Sequence, residues 1–387
     1  MYAGSDYYNL EEWLTDDEIM IRNVVREWVA ERVLPKIEEQ YRSGRFPVDL
    51  VPEMAELGLF GMTLPEKYGS AGLKDVAYGL VMQELEWGDS GIRSFASVQS
   101  ALVIYPIFNW GSREQIDYWL PKLIRAEKIG AFGLTEPDYG SNPAGMITKA
   151  KKVDGGYILN GTKTWITNSS IADVLVVWAK LDGVVAGFLV EKDWKGLSCP
   201  EIRGKWSLRA SVTGEIVLDD VFVPESHRLQ SANGIKCPLS CLTRARYGIA
   251  WGVLGAAMAC YSTALDYSKT RIQWGKPIGG FQMVQEKLVK MLTEITKAQL
   301  LVYRLGRMQE AGKAQYWHVS LAKRNNCEMA LDVARTARDL LGANGISDEY
   351  PIMRHMMNLE AVYTYEGTHH MQTLIVGGNI TGMEAYQ

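Results

Sequence analysis

The spacing of apolar residues changes twice along this chain, and that double switch limits its possible folds more than any other feature. In residues 14–42 Ile21, Val24, Val25, Trp28 and Val29 recur at helical spacing, behind a capping Thr15 and the acidic run Asp16, Asp17, Glu18. Further helices are predicted over 50–57, 73–88, 91–109 and 112–126, between breaks that contain Gly and Pro. Near Gly130 the pattern shortens. Tyr157-Ile158-Leu159, Val174–Trp178 and Phe188-Leu189-Val190 are brief β-branched or aromatic runs, separated by the turn signals Asp154-Gly155-Gly156 and Asp182-Gly183. Another strand fits Gly214–Val223, closed by Pro224. Helical spacing returns at Leu239, over 239–271, 281–311, 315–342, 351–357 and 368–385, lengths that suit an antiparallel bundle. The expected class is α+β, mainly α: an N-terminal helical domain over 1–127, a central antiparallel β-domain over 128–236, and a C-terminal helical bundle over 237–387. Segregation of this kind argues against a doubly wound sheet.

Composition removes several classes of function. A net charge of −4 on 387 residues marks neither a nucleic-acid binder nor a membrane-surface protein. No uncharged apolar run is expected to approach the roughly 18 residues of a membrane span. The first six residues, Met-Tyr-Ala-Gly-Ser-Asp, have neither a basic-then-apolar pattern nor a transit-peptide composition, so a cytoplasmic protein is expected. Five cysteines, an odd number in a long chain, argue against a disulfide framework. Cys237 and Cys241 lack a second ligand pair for zinc, so no metal is expected. No GxGxxG follows a strand, and GxxxxGK[ST], HExxH and GxSxG are absent. Gly248, Gly252 and Gly255 fall in an apolar helical run and suggest close helix packing.

Four short segments, in order, carry a resemblance. Gly133-Leu134-Thr135-Glu136-Pro137 with Gly140-Ser141 is similar to the flavin-binding signature of acyl-CoA dehydrogenases. Trp165-Ile166-Thr167-Asn168 resembles their second flavin-contacting strand, and Arg271-Ile272-Gln273-Trp274-Gly275 with Phe281-Gln282 resembles their Arg-x-Gln-Phe-Gly…Phe-Gln motif. Tyr365-Glu366-Gly367-Thr368 resembles the segment with the catalytic carboxylate. Each tetrapeptide is weak alone; their order, spacing and domain pattern together are specific. The glutaryl-CoA branch is most similar, through Ala245–Gly252, Leu292–Thr296, Lys323–Cys327, Asn344–Tyr350 and Asp89-Ser90-Gly91 with Arg93-Ser94.

The resemblance implies a helical domain, a β-domain and a four-helix bundle, usually assembled as a homotetramer, with FAD as cofactor and an electron-transferring flavoprotein as partner. It makes Glu366 the base for the α-proton of an acyl-CoA thioester. Without the resemblance, a carboxylate capping the helix that starts near Thr368 is the better reading of Glu366. Phe132, Leu134, Thr135, Gly140, Ser141, Trp165, Ile166, Thr167 and Thr368 would line the flavin. Thr167 is otherwise an ordinary strand threonine. Arg271 and Gln282 would reach the FAD of a neighbouring subunit, and Asp339, Leu340, Gly342 and Ala343 its adenosine end. Taken alone, Arg271 reads as a solvated cation at a helix C-terminus.

On the substrate side, the resemblance implies contacts from Ser141, Arg246, Tyr247 and Gly367, the glycine allowing close approach of the ligand. Arg93 matches the arginine that pairs the distal carboxylate of glutaryl-CoA, beside Ser94 and Ser97; its plain alternative is a surface arginine paired with Glu84 or Asp89. Glu86 and Tyr365 match the pair that poises this carboxylate for loss, which implies crotonyl-CoA and carbon dioxide as products. The alternative is a dehydrogenase for another short-chain or dicarboxylyl-CoA, without decarboxylation. Asn142, His370 and Gly378 depart from the usual Asp, acidic and Arg residues at those positions.

Overall fold

The computed structural model describes residues 5–386. Residues 1–4, within the hexapeptide that bears on targeting, lie outside the described residues, as does Gln387. Helices α1 (Asp16–Trp28), α2 (Leu34–Ser43), α3 (Val51–Glu56), α4 (Asp75–Gly88), α5 (Ser90–Ser97), α6 (Tyr105–Trp110) and α7 (Arg113–Ile124) come first. At the start of α1, Thr15 Oγ1 accepts from the Glu18 N–H at 3.3 Å and the Glu18 carboxylate accepts from the Thr15 N–H at 2.9 Å. Two segments expected as single helices widen into π-turns, Val29–Val33 and Val98–Ile104. Proline supplies the reason. Pro35 and Pro106 open the helices that follow, lack an N–H, and push away the carbonyl four residues back. The second π-turn directly follows the segment with Arg93, Ser94 and Ser97.

The sheet contains β1 (Gly130–Gly133), β2 (Lys149–Val153), β3 (Gly156–Thr167), β4 (Val174–Leu181), β5 (Val184–Glu191), β6 (Leu197–Ser198), β7 (Thr213–Pro224) and β8 (Arg228–Asn233). The order is β6-β7-β3-β2-β4-β5-β8, with β1 also paired to β4. The sheet is mixed, which corrects the expectation of a purely antiparallel one. Both β1 and β2 run parallel to β4 along the same edge, Gly133 beside Val177 and Lys149 beside Lys180. They act as one strand interrupted by the excursion 134–148. Periodicity within a strand does not encode direction, and the four residues of β1 precede the first turn signal. Successive residues of β4 face two cores: Val174, Val176 and Trp178 join the large core with the helices, whereas Leu175, Val177 and Ala179 join a smaller one with Tyr157, Phe188 and Ile216.

Then follow α8 (Lys236–Thr270), α9 (Gln282–Glu310), α10 (Tyr316–Leu340), α11 (Ile352–Thr364) and α12 (His369–Thr381). Helix α10 touches α8, α9, α11 and α12, and α4 lies along α8. Contrary to expectation, α8 is apolar and long enough to cross a membrane by length and composition; here it is the buried core helix of the bundle. Its glycines let α4 approach: a methyl group at Gly255 would lie 1.9 Å from the Gln83 carbonyl oxygen. At Gly252 it would lie 2.2 Å from Glu86 Oε2, so this packing reaches the candidate site.

Candidate active site

The loop between α11 and α12 presents Tyr365, Glu366, Gly367 and Thr368. Thr368, not Glu366, caps α12: its Oγ1 accepts from the Met371 N–H at 3.1 Å. Glu366 itself has φ 52°, a left-handed conformation that costs a non-glycine residue about 1–2 kcal/mol. Its carbonyl accepts from Arg246 Nε at 2.6 Å and Gln372 Nε2 at 3.3 Å, so the strained backbone is held in place. Its Oε2 is buried, and no hydrogen-bond partner meets it among the described residues. Burial pushes the carboxyl up to about 7, against the opposing pull of Arg93, Arg246 and Lys323. A desolvated, unpaired carboxylate near neutrality is suited to taking a weakly acidic C–H proton.

Arg93, on α5, is wholly buried. Its Nε donates to Glu86 Oε2 at 2.6 Å and its Nη2 to the Tyr365 hydroxyl, while Nη1 is buried without a partner among the described residues. Ser90 Oγ donates to the other Glu86 oxygen at 2.8 Å. The surface-arginine alternative therefore fails. Glu84 is bound by Arg26 and Asp89 by Arg354, leaving Glu86 as the partner of Arg93. Burial opposes the charge of Arg93, but Glu86 and then Tyr365 outweigh it and hold the guanidinium above its ordinary value. Ser94 and Ser97 are buried nearby on the same helix, and Ser97 lies beside Tyr78.

Two of the expected substrate-contact residues are engaged by the protein itself. The Tyr247 hydroxyl is spent on the Asp75 carbonyl at 2.8 Å and its ring is wholly buried, because the apolar face of α8 turns it into the core. At Gly367, φ is 92° and a methyl group would lie 2.5 Å from Gln372 Nε2 and 3.0 Å from Arg246 Nη2. The glycine makes room for these two side chains.

The excursion 134–148 is tied down by a buried ion pair that sequence reasoning left out of the site. Glu136 accepts from the Ile147 N–H at 2.6 Å, the Thr148 N–H at 2.9 Å and Lys163 Nζ at 2.8 Å. Lys163 also donates to the Leu134 carbonyl at 3.1 Å, and burial pulls it down to about 8. Phe132 and Leu134 are buried, the Thr135 carbonyl accepts from the Thr164 N–H at 2.9 Å, and Gly140 and Ser141 form an exposed rim. Trp165 sits where the β3–β7 register shifts, with φ 60° and its ring 62 % exposed. Ile166 points into the smaller core, leaving only its backbone to a ligand, whereas Thr167 is half-buried. Arg271, Gln282, Gly342 and Ala343 are exposed; the Asp339 carboxylate accepts from Lys287 Nζ at 2.5 Å and Leu340 is buried in the bundle.

The family models for acyl-CoA dehydrogenases match the N-terminal domain over 15–127, the middle domain over 131–221 and the C-terminal domain over 232–381. The chain belongs to the acyl-CoA dehydrogenase family. Within that family, a crystal structure of glutaryl-CoA dehydrogenase from Mycobacterium smegmatis is 50 % identical, covers 99 % of each chain and superposes with a TM-score of 0.98. A second one from that organism, in complex with FADH2, is 46 % identical over 100 % of each chain, with a TM-score of 0.98. The short-chain specific acyl-CoA dehydrogenase of Megasphaera elsdenii is 34 % identical over 376 residues, 94 % of this chain and 98 % of that one.

Proposed function

We propose that the protein oxidises and decarboxylates glutaryl-CoA to crotonyl-CoA and carbon dioxide, with FAD as cofactor, and works as a homotetramer that passes electrons to an electron-transferring flavoprotein. One observation carries the substrate assignment: a wholly buried arginine with a free Nη1 donor, Arg93, in the same cluster as the unpaired Glu366 Oε2. A buried donor left idle costs about 1–3 kcal/mol, which an incoming carboxylate recovers. The residues around β3 fit FAD. Trp165 offers an exposed ring from a strained bulge, the Thr167 hydroxyl is uncommitted among the described residues, and a methyl group at Gly140 would meet nothing within 4 Å. The exposed Arg271 and Gln282 are free to serve a neighbouring subunit's FAD.

In the first stage Glu366 removes the α-proton. The Glu366 N–H meets no acceptor among the described residues and is available to the thioester oxygen, where negative charge develops. FAD, when bound, supplies the acceptor for the hydride that leaves the β-carbon. The enoyl product, glutaconyl-CoA, has its γ-carboxylate in conjugation with the thioester. Loss of carbon dioxide leaves the C–C electron pair as a dienolate, and protonated Glu366 returns its proton to the γ-carbon. Glu86 and Tyr365, both bonded to Arg93, adjust how firmly the arginine holds the carboxylate.

A second reading, a dehydrogenase for another short-chain or dicarboxylyl-CoA that stops at the enoyl product, is favoured by the Glu86–Arg93 pair. That pair is already near neutral without a ligand carboxylate. Incubation with glutaryl-CoA and an artificial acceptor separates the two: crotonyl-CoA supports the proposal, and glutaconyl-CoA as the end product overturns it.

A further inference from the structure

The mechanism above leaves unused a buried charge directly beneath Glu366. Lys323, on α10, is wholly buried beneath the loop with Glu366. Its ammonium donates to three backbone carbonyls: Tyr363 in the last turn of α11 at 3.4 Å, and Tyr365 at 3.1 Å and Gly367 at 3.0 Å in that loop. An ammonium has three donors, so the match is complete. The bond to Tyr365 has a geometric consequence. A trans peptide directs its C=O and the following N–H to opposite sides. Fixing the Tyr365 carbonyl on Lys323 therefore turns the Glu366 N–H away from α10, and that N–H meets no acceptor among the described residues. From α12, at the other end of the loop, Gln372 Nε2 donates to the Glu366 carbonyl at 3.3 Å and the Gly367 carbonyl at 3.1 Å, and from α8 Arg246 Nε donates to the Glu366 carbonyl at 2.6 Å. The carbonyls of residues 365–367 are thus all drawn toward the protein.

We propose that Lys323 is a positioning residue for this site: by gripping three carbonyls it sets both the left-handed backbone of Glu366 and the direction of the Glu366 N–H toward the substrate carbonyl. The inference rests on the reading of Glu366 as the base. The groups that act on Lys323 are Cys327 on α10, Glu366 in the loop, Arg246 from α8 and Arg93 from α5; burial, the largest influence, pulls the ammonium below its ordinary value. Lys323 in turn draws the Glu366 carboxyl downward, after the stronger effects of Arg93 and Arg246.

The test uses the FAD-loaded tetramer and Lys323→Met. The expected kcat loss is about 100-fold, with KM for acyl-CoA changed less than about threefold, since the clamp acts on transition-state geometry. The acid limb of the kcat–pH profile should move to higher pH. The vibrational shift of the thioester C=O of bound crotonyl-CoA, which reads the Glu366 N–H directly, should return toward its value in water. Lys323→Arg, which keeps a cation, should leave the acid limb at its parent position. Parent kcat and an unchanged C=O shift in Lys323→Met would overturn the proposal. So would equal kcat losses in both variants with parental pH limbs, the mark of packing alone. If Lys323→Met does not retain FAD, the same two readings on Lys323→Gln decide, and parental values there overturn it. Glu366→Gln run in parallel separates the two claims: full activity in that variant removes the base assignment, whereas an inactive Glu366→Gln beside a normal Lys323→Met removes only the clamp.

Discussion

Replacing Arg93 by Gln tests the substrate assignment where the structure makes it quantitative. The guanidinium spends Nε on Glu86 at 2.6 Å and Nη2 on Tyr365, so one buried Nη1 remains for a ligand carboxylate. Removing one partner of a buried, hydrogen-bonded charge pair costs about 2–5 kcal/mol. For glutaryl-CoA that corresponds to a loss in kcat/KM of about 30-fold to 5,000-fold. Butyryl-CoA has no distal charge to strand and should lose about tenfold or less. The single variant also deprives buried Glu86 of its cation, leaving it the Ser90 hydroxyl at 2.8 Å, so Glu86→Gln/Arg93→Gln serves as the neutral control. Anaerobic turnover of both substrates with a dye acceptor gives the ratio of the two kcat/KM values. Equal losses on the two substrates, in the single and the double variant alike, would refute the carboxylate role of Arg93.

Other outcomes follow from the same geometry. Glu366→Gln should retain FAD yet show no bleaching with substrate under anaerobic conditions; rapid bleaching would require another base. In the parent enzyme kcat/KM should rise with pH through about 7, as Glu366 loses its proton. The same raised value makes the folded chain bind that proton more tightly than the unfolded chain, so stability falls as pH rises from 4.5 to about 7. Glu366→Gln should therefore raise the thermal midpoint at pH 8 and leave it unchanged at pH 4, and a gain of equal size at both would count against a desolvated carboxyl. Trp165→Ala should weaken FAD retention while moving the apoprotein's thermal stability by less than about 0.5 kcal/mol, because the ring is 62 % exposed; a large loss of apoprotein stability would make Trp165 a packing residue instead.

Much of this fold was legible because long amphipathic helices and short β-branched runs write their period into the chain. Strands β3, β4, β5 and β7 fall on the expected runs, and α8, α9 and α10 within a few residues of the expected bounds. The direction of β1 and β2 was not legible, since parallel pairing with β4 is set by where the excursion 134–148 re-enters the sheet. Nor was the partner of Arg93. Glu84, Glu86 and Asp89 are all within reach in sequence, and the packing of α4 on α8 places Glu86 against Arg93. Arg246 and Tyr247 are neighbours in the chain, but adjacent residues on a helix point about 100° apart, so the Arg246 guanidinium reaches the Glu366 loop while the Tyr247 hydroxyl meets the Asp75 carbonyl.

The two buried lysines were the least expected parts of the site, although each had a trace in the pattern. Lys323 belongs to the buried stripe Val319, Ala322, Asn326, Cys327 and Ala330 of α10, so its phase is that of the core and not of the solvated face. Lys163 likewise keeps the parity of Tyr157 and Leu159 along β3 up to the bulge. A cation in phase with an apolar stripe must find acceptors where it ends, because an unpaired buried ammonium is untenable. Main-chain carbonyls of a nearby irregular loop are the acceptors most readily available, and both lysines take them: Lys163 from Leu134 in the excursion, Lys323 from Tyr365 and Gly367 in the loop with Glu366, and from Tyr363 at the end of α11. Out-of-place lysines in such patterns therefore mark the loops that a fold holds rigid, and in this chain those are the two loops on which the proposed chemistry depends.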